Sequence, residues 1–181
     1  WWKVFVVIFA VSVLVVGYLG KNTYDYAPPI ADFVDERGAV VVPAAAITAG
    51  QKVFFRYALM DYGSFLGDGG LRGPDFTAEA LRLTAAHLER HHDEAWLSRV
   101  PDPEQRRRVV AATVQQELHA NRYDERRGTV TLTDGQVGAY AHLVTYYGEK
   151  FGQGGPAAGA EAFTPAGYIA DPEDVRNLAA F

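Results

Sequence analysis

The chain contains no cysteine and a single methionine among its 181 residues. Without thiols it cannot form disulfides, iron–sulfur clusters, thiolate zinc sites or the thioether bonds that attach a c-type haem. Basic residues are in the minority, with 17 Lys and Arg against 22 Asp and Glu, and the formal net charge is −5. This acidic balance argues against binding to nucleic acid or to a surface of anionic lipid.

The longest apolar run lies at the start of the chain, where Lys3 is the single charge within residues 1–19. About 20 helical residues cross a hydrocarbon core of about 30 Å, so this run is just long enough to span a bilayer. Tryptophan precedes the run and tyrosine follows it, as at the two interfaces of a membrane. Because the run offers no small-residue cleavage site, we predict a retained transmembrane anchor over residues 1–20.

The rest of the chain divides into three parts. We predict a linker over residues 21–37, because the Pro28-Pro29 pair prevents a helix from continuing. Residues 38–170 have the size of one ordinary domain. Residues 171–181 begin with Asp-Pro-Glu-Asp, which is typical of a helix start with Asp as the N-cap and Pro at the first position.

Hydrophobic periodicity and capping signals predict a mainly α-helical domain with a few short β-strands. Helices are predicted over residues 48–61, 77–98, 104–119 and 134–151, and strands over residues 39–42 and 128–133. Thr48 is the predicted N-cap of the first helix. Thr133 and Gln136 fit a capping box at the start of the last one.

Five histidines raise the question of a metal site. His87 and His91 are four residues apart on a predicted helix and share one face, with His92 beside them. The string H-L-E-R-H places its acid one position too late for the zinc-protease motif, and no third ligand lies nearby in the sequence. Since His119 and His142 stand alone, we predict structural or surface roles for all five.

Residues 58–79, ALMDYGSFLGDGGLRGPDFTAE, have the outline of a cytochrome c haem-attachment segment without its haem-binding atoms. Such a segment contains C-x-x-C-H, followed by a glycine-rich loop and a Gly-Pro or Ala-Pro step. Here Leu59 and Tyr62 occupy the Cys positions and Gly63 the His position, whereas the loop and the Gly73-Pro74 step are present. Leu59 and Tyr62 are expected to fill the space of a porphyrin, and the alternative is that both are core residues of an unrelated helix.

Together with the segments APPI (27–30), AGQKVF (49–54) and GPDFTAEAL (73–81), the stretch LMDYGS resembles the amino-terminal region of quinol-dependent nitric oxide reductases. The resemblance covers most of the chain. It implies one N-terminal transmembrane helix followed by a cytochrome c-like helical domain that carries no haem. In this family the full polypeptide reduces two nitric oxide molecules to nitrous oxide and water with electrons from quinol.

The resemblance also implies where the chemistry lies. Haem b and non-haem iron belong to a catalytic membrane bundle that would follow residue 181, so no catalytic residue and no redox centre is expected in this chain. The expected partners are the membrane, that bundle, quinol reached through it and, as an option, a second copy in a homodimer. The expected location is the inner membrane of a bacterium or archaeon, with the domain on the periplasmic or extracellular side.

One metal ligand set is implied by the same resemblance. In the related cytochrome subunit the glycine-rich loop touches the membrane subunit and offers main-chain carbonyls to a calcium ion. Carried over to this chain, the carbonyls belong to Gly69 and Leu71, and calcium accepts carbonyl oxygens readily. The alternative is a loop that only packs.

A protein of another class would have a similar composition. A single-span periplasmic sensor or adaptor that binds a solute or a partner protein also combines one anchor with one acidic domain. The reading frame beyond residue 181 discriminates between the two functions, because a reductase continues into many apolar spans with histidine clusters.

Overall fold

The computed structural model describes residues 1–25, 30–67, 73–154, 165 and 167–181. The chain forms two compact units, Trp1–Ile30 and Ala31–Phe181. The first contains helix α1 (Trp2–Asp25), which is long and apolar enough to cross a membrane. The predicted apolar helix is therefore present, and it continues past residue 20 because its first helix-breaking prolines come only at positions 28 and 29.

The second unit is mainly helical and carries one small sheet. Its helices are α2 (Ala44–Arg56), α3 (Phe76–Trp96), α4 (Pro103–His119), α5 (Asp134–Gly148) and α6 (Pro172–Ala180). Its strands are β1 (Asp32–Val34), β2 (Val40–Val42), β3 (Tyr123–Asp124) and β4 (Thr129–Thr131). A 3₁₀ turn (Leu59–Asp61) follows α2, and a π-helical turn (Glu149–Gly154) follows α5. The predicted fold class, mainly α with a few short strands behind an apolar helix, is confirmed.

The four strands form a mixed sheet in the order β2-β1-β4-β3. Strand β1 runs antiparallel to β2 and parallel to β4, so the sheet joins two distant parts of the chain. Asp35 closes the turn between β1 and β2, since its Oδ1 accepts hydrogen bonds from the backbone N–H groups of Arg37 and Ala39. Strand β1 was not predicted from the sequence, because a three-residue strand carries too little pattern of its own.

Helix α2 begins earlier than the sequence predicts. Its first residue is Ala44, whereas the predicted N-cap, Thr48, lies inside the helix. The residue at the N-cap position, Pro43, has no side chain that can cap. Asp32 of strand β1 supplies the missing acceptor instead, because its Oδ1 lies 2.7 Å from the backbone nitrogen of Ala44. The prediction of Thr48 as the N-cap is therefore wrong.

The same helix also ends before the predicted residue 61. Ala58 adopts a left-handed backbone conformation with φ 47°, which breaks the α-helix and starts the 3₁₀ turn. The 3₁₀ turn places Leu59 inside the domain and Met60 on its surface.

The remaining helix starts follow their local caps. Asp75, Asp102 and Asp171 accept backbone hydrogen bonds at the starts of α3, α4 and α6. The capping box of α5 is confirmed, since Thr133 Oγ1 accepts from the Gln136 backbone and the Gln136 side chain accepts from the Thr133 backbone. Helix α5 ends before the predicted residue 151, because its last turn widens into the π-helical turn.

The main core lies where α2, α3, α5 and α6 meet. It is rich in aromatic rings and contains Val53, Phe54, Leu59, Phe76, Leu83, Leu143, Tyr146, Tyr147, Phe151, Ile169 and Val175. A smaller cluster between α3 and α4 contains Leu88, Val110 and Val114.

Candidate functional site

The segment that resembles a haem-attachment motif is built into the core. Leu59, at the first Cys position, has no exposed surface. At the His position, a Cβ atom added to Gly63 would lie 2.5 Å from the carbonyl oxygen of Pro74 and 2.6 Å from the Phe76 ring. No larger side chain fits there without movement of the backbone. The residues present therefore do not fit a c-type haem, because the segment has neither thiols nor room for an iron ligand.

Tyr62, at the second Cys position, packs less deeply than Leu59. Its ring is partly buried and meets Tyr168 edge to face, with ring centroids 4.8 Å apart. Tyr168 in turn donates a hydrogen bond from its hydroxyl to the carbonyl oxygen of Tyr57 at 2.6 Å. These three tyrosines connect the 3₁₀ turn to the segment before α6.

Asp75 holds the two ends of the glycine-rich loop together. Its carboxylate accepts hydrogen bonds from the backbone of Gly67 (2.7 Å), the hydroxyl of Ser64 (2.9 Å) and the backbone of Ala78 (2.9 Å). The bonds from the backbones of Ala78 and Gly67 and from the Ser64 hydroxyl lower the pKa of this carboxyl group, so it stays ionised. The carboxylate thus serves as the N-cap of α3 and as a clamp on the loop.

Two glycines flank the loop in conformations that L-residues rarely adopt. Gly67 has φ +79° and Gly73 has φ +78°. At Gly73 an added Cβ would lie 1.8 Å from the carbonyl oxygen of Tyr62, so the backbones themselves are in close contact. A residue other than glycine at this position is therefore excluded on both grounds.

Gly69 and Leu71, whose carbonyls are the predicted calcium ligands, lie outside the described residues. Their role stays a prediction. Within the described ranges, no group of three or more His, Asp or Glu side chains is placed to hold a metal ion.

The histidines of α3 have packing partners. The rings of His87 and His142 stack with centroids 5.7 Å apart, and His92 Nε2 lies 2.6 Å from Glu117 Oε2. Glu117 also accepts a hydrogen bond from the hydroxyl of Thr133, the N-cap of α5. Burial alone would raise the pKa of Glu117, but the bonds from Thr133 and His92 outweigh it and lower the pKa. His91 stays exposed.

A buried ion pair was missed by sequence reasoning. Lys150 is 3% exposed, and its Nζ lies 2.7 and 2.8 Å from the two carboxylate oxygens of Glu79. The hydroxyl of Tyr146 donates to the same carboxylate at 2.7 Å. The Lys150 ammonium also lies 5.2 to 5.9 Å from the centroids of four rings, which belong to Phe76, Tyr146, Tyr147 and Phe151.

The sequence carries only a weak signal for this pair. An acid in the first turn of a helix, such as Glu79, is usually explained by the helix dipole, and a lysine at a helix end by the opposite pole. The one hint is that Lys150 stands within the aromatic run YYGEKF. Lys150 lies in the π-helical turn, and no sequence pattern predicts such a turn.

A second ionic contact fixes α6 on α2. Asp174 is buried and accepts hydrogen bonds from Arg56 Nη1 at 3.1 Å and from the Tyr57 hydroxyl at 3.0 Å. Burial raises the pKa of Tyr57, and the hydrogen bond to Asp174 raises it further, so the phenol keeps its proton.

The sequence was compared with models of known protein families, and one of them matches. The model of one family, described as the cytochrome c-like domain of the NorB subunit of nitric oxide reductase, matches residues 30–181. The chain belongs to this family. The match includes the whole second unit, and the resemblance to this type of domain is thereby shown. A comparison with curated proteins found no match.

Membership of this family accounts for the haem-attachment outline of residues 58–79, but it assigns no catalytic residue to them. In this helical domain, Leu59, Tyr62 and Gly63 occupy the segment that resembles a haem-attachment motif. The features with functional potential are the clamped loop, the buried ion pair and the histidines of α3.

Proposed function

We propose that this chain is the amino-terminal part of a membrane-bound, quinol-dependent nitric oxide reductase. The full polypeptide would reduce two nitric oxide molecules to nitrous oxide and water with electrons from quinol. In this proposal α1 anchors the chain in the inner membrane, and the unit Ala31–Phe181 caps the catalytic bundle from the periplasmic or extracellular side. Haem b and non-haem iron belong to that bundle.

The observation that carries the proposal is the conversion of a haem-attachment segment into protein core within a domain of a nitric oxide reductase family. The chain has no cysteine, Leu59 is fully buried and Gly63 has no room for a side chain, so this segment cannot hold a covalently attached haem as an electron carrier. A donor that delivers electrons inside the membrane makes such a carrier unnecessary. Loss of the haem ligands is therefore expected in a quinol-dependent enzyme.

The clamped loop is the best candidate for the contact with the bundle. Apolar side chains are exposed on the chain segment that leads into it, at Phe55, Met60 and Leu66. Leu66 has φ +53°, a conformation that costs about 1–3 kcal/mol in a residue other than glycine. The bond from Gly67 to Asp75 holds the backbone next to Leu66 in place, and strained residues held in this way cluster at functional contacts.

The test compares two glycines in the full-length polypeptide. Gly67 (φ +79°) and Gly128 (φ +63°) both have positive φ, and a Cβ atom added to either would meet nothing within 4 Å. Valine at either position should therefore cause similar backbone strain, of about 1–3 kcal/mol. Gly67→Val should reduce nitric oxide turnover well beyond its effect on thermal stability, whereas Gly128→Val, in the turn before β4, should leave turnover near wild type.

Equal turnover in the two variants would show that the loop does not contact the catalytic bundle. Absence of nitric oxide turnover in the wild-type full-length protein would contradict the proposal and favour the alternative, a periplasmic sensor or adaptor. A reading frame that continues into many apolar spans with histidine clusters supports the reductase.

Calcium at the loop is a subordinate part of the proposal. Backbone carbonyls of Gly69 and Leu71 would be the ligands, as the family resemblance implies. Removal of calcium with a chelator should then lower the melting temperature of the full-length enzyme, and added calcium should restore it. An unchanged melting temperature would show that the loop does not bind calcium.

A further inference from the structure

Helix α3 meets helix α5 through a pair of imidazole rings. The rings of His87 and His142 stack at a centroid distance of 5.7 Å, with their planes 26° apart, and both side chains are half-buried. The helices approach closely here, since a Cβ atom added to Gly138 of α5 would lie 2.8 Å from His87 Nε2. The His87 ring therefore lies directly against the backbone of Gly138.

The charges around His87 disfavour a second proton on its ring. Burial is the largest cause of its lowered pKa, followed by His142 from α5 and by Arg90 and His91 from α3 itself. All of these groups are neutral or positive, so none of them compensates a proton on His87.

Helix α4, which packs against α3 as well, makes charged contacts with it. Helix α4 faces α3 through Glu117, which bonds with His92, and through Arg106, which donates to Asp93 at 2.8 Å. Helix α4 thus offers α3 one acid, Glu117, and the contact with α5 through His87 is the one that opposes protonation.

We propose that the contact between His87 and His142 is sensitive to acid. It holds α3 against α5 at neutral pH and weakens when the pair takes up a proton. An unfolded histidine binds its proton near pH 6.5, whereas His87 in the fold binds it only at lower pH. The stability that this residue contributes is therefore complete above about pH 6.5 and is lost as the pH falls below that value. The paired carboxylate Glu117 loses its contribution in a lower window, below its ordinary pKa of about 4.3.

The experiment uses the full chain in detergent and follows thermal unfolding between about pH 7.5 and about pH 5.5, where histidines titrate. Wild type is compared with His87→Gln, which cannot titrate, and with His119→Gln, an exposed histidine of α4. The wild-type melting temperature should fall more on acidification than that of His87→Gln, and His119→Gln should fall as wild type does. Equal falls in wild type and His87→Gln would overturn the proposal.

A second measurement decides the case even if His87→Gln does not fold. NMR titration of the wild-type imidazoles gives the midpoint of His87 directly. A midpoint below the ordinary value of about 6.5, moving upward in His142→Gln, is the expected result. A midpoint at or above about 6.5 would overturn the proposal. Hydrogen exchange, corrected for the intrinsic effect of pH, should show faster opening of α5 amides at the acidic end in wild type than in His87→Gln.

Discussion

At the scale of single residues, Lys150 is a cation that is only 3% exposed, so its burial must be compensated by its neighbours. Removing an ammonium group from water costs several kcal/mol, even after the protein relaxes. Both carboxylate oxygens of Glu79 and a group of aromatic faces surround it. Burial raises the pKa of Tyr146, and its hydrogen bond to Glu79 raises it further, so the phenol remains a donor to the same carboxylate.

We expect Lys150→Met to destabilise the protein by about 3–5 kcal/mol, because it leaves the Glu79 carboxylate buried without its cation. The double variant Lys150→Met with Glu79→Leu should recover part of that loss, since no unpaired charge remains. Urea unfolding measures both, and Lys52→Met, an exposed lysine on α2, is the matched control. A loss for Lys150→Met no larger than that for Lys52→Met would show that the ion pair has no net role.

Asp75 acts on the loop as well as on the helix that it caps. Asp75→Ala removes the acceptor for Ser64, Gly67 and Ala78 at once, so the Gly67 backbone should lose its anchor. Hydrogen exchange of the Gly67 amide should then be faster than in wild type. Asp102→Ala, which removes only the cap of α4, should leave that exchange rate unchanged. Equal rates in the two variants would mean that Asp75 serves only as a cap.

At the scale of elements, the break between α2 and the 3₁₀ turn determines which side chains fill the core. Leu59 lies wholly inside, whereas Met60 beside it is 53% exposed. The helix starts that the sequence located correctly, those of α5 and α6, have their capping partners within four residues. The start of α2 was misplaced because its cap comes from Asp32, on another element. The ion pair of Glu79 with Lys150 escaped notice for the same reason, since a long-range contact leaves no local pattern.

Truncations in the vestigial segment should follow the depth of burial. Leu59→Ala should lower the free energy of unfolding by about 2–5 kcal/mol through a residual cavity. Tyr62→Ala should cost less than Leu59→Ala but clearly more than the exposed controls Met60→Ala and His91→Ala. Chemical denaturation gives the order. A loss for Tyr62→Ala as small as that for His91→Ala would show that the Tyr62 ring adds nothing to the core.

At the scale of the whole molecule, the chain combines an apolar helix with an acidic, cysteine-free domain of a nitric oxide reductase family. The fold class and the family could be predicted because helix periodicity, caps and short motifs are local signals. The calcium carbonyls, the quinol and the contact with the bundle have no such local signal in the sequence, and they follow from the family resemblance alone.

Haem titration checks the filled core directly. Since Gly63 has no room for a ligand and Leu59 occupies the interior, the purified chain should show no stoichiometric, ligated haem spectrum after incubation with haem. Single substitutions such as Gly63→His should not create one, because Pro74 and the Phe76 ring occupy the space. A Soret band of ligated haem at one haem per wild-type chain would contradict this prediction, since it would show that the domain binds haem.

The electron donor of the full-length enzyme tests the central claim most directly. The complete polypeptide, purified in detergent, is supplied with nitric oxide and either a reduced quinol or reduced cytochrome c, and the consumption of nitric oxide is measured. We expect consumption with quinol and none above background with cytochrome c, because the chain has no cysteine to attach a haem relay and Gly63 leaves no room for an iron ligand. Consumption that requires cytochrome c and ignores quinol would contradict the account.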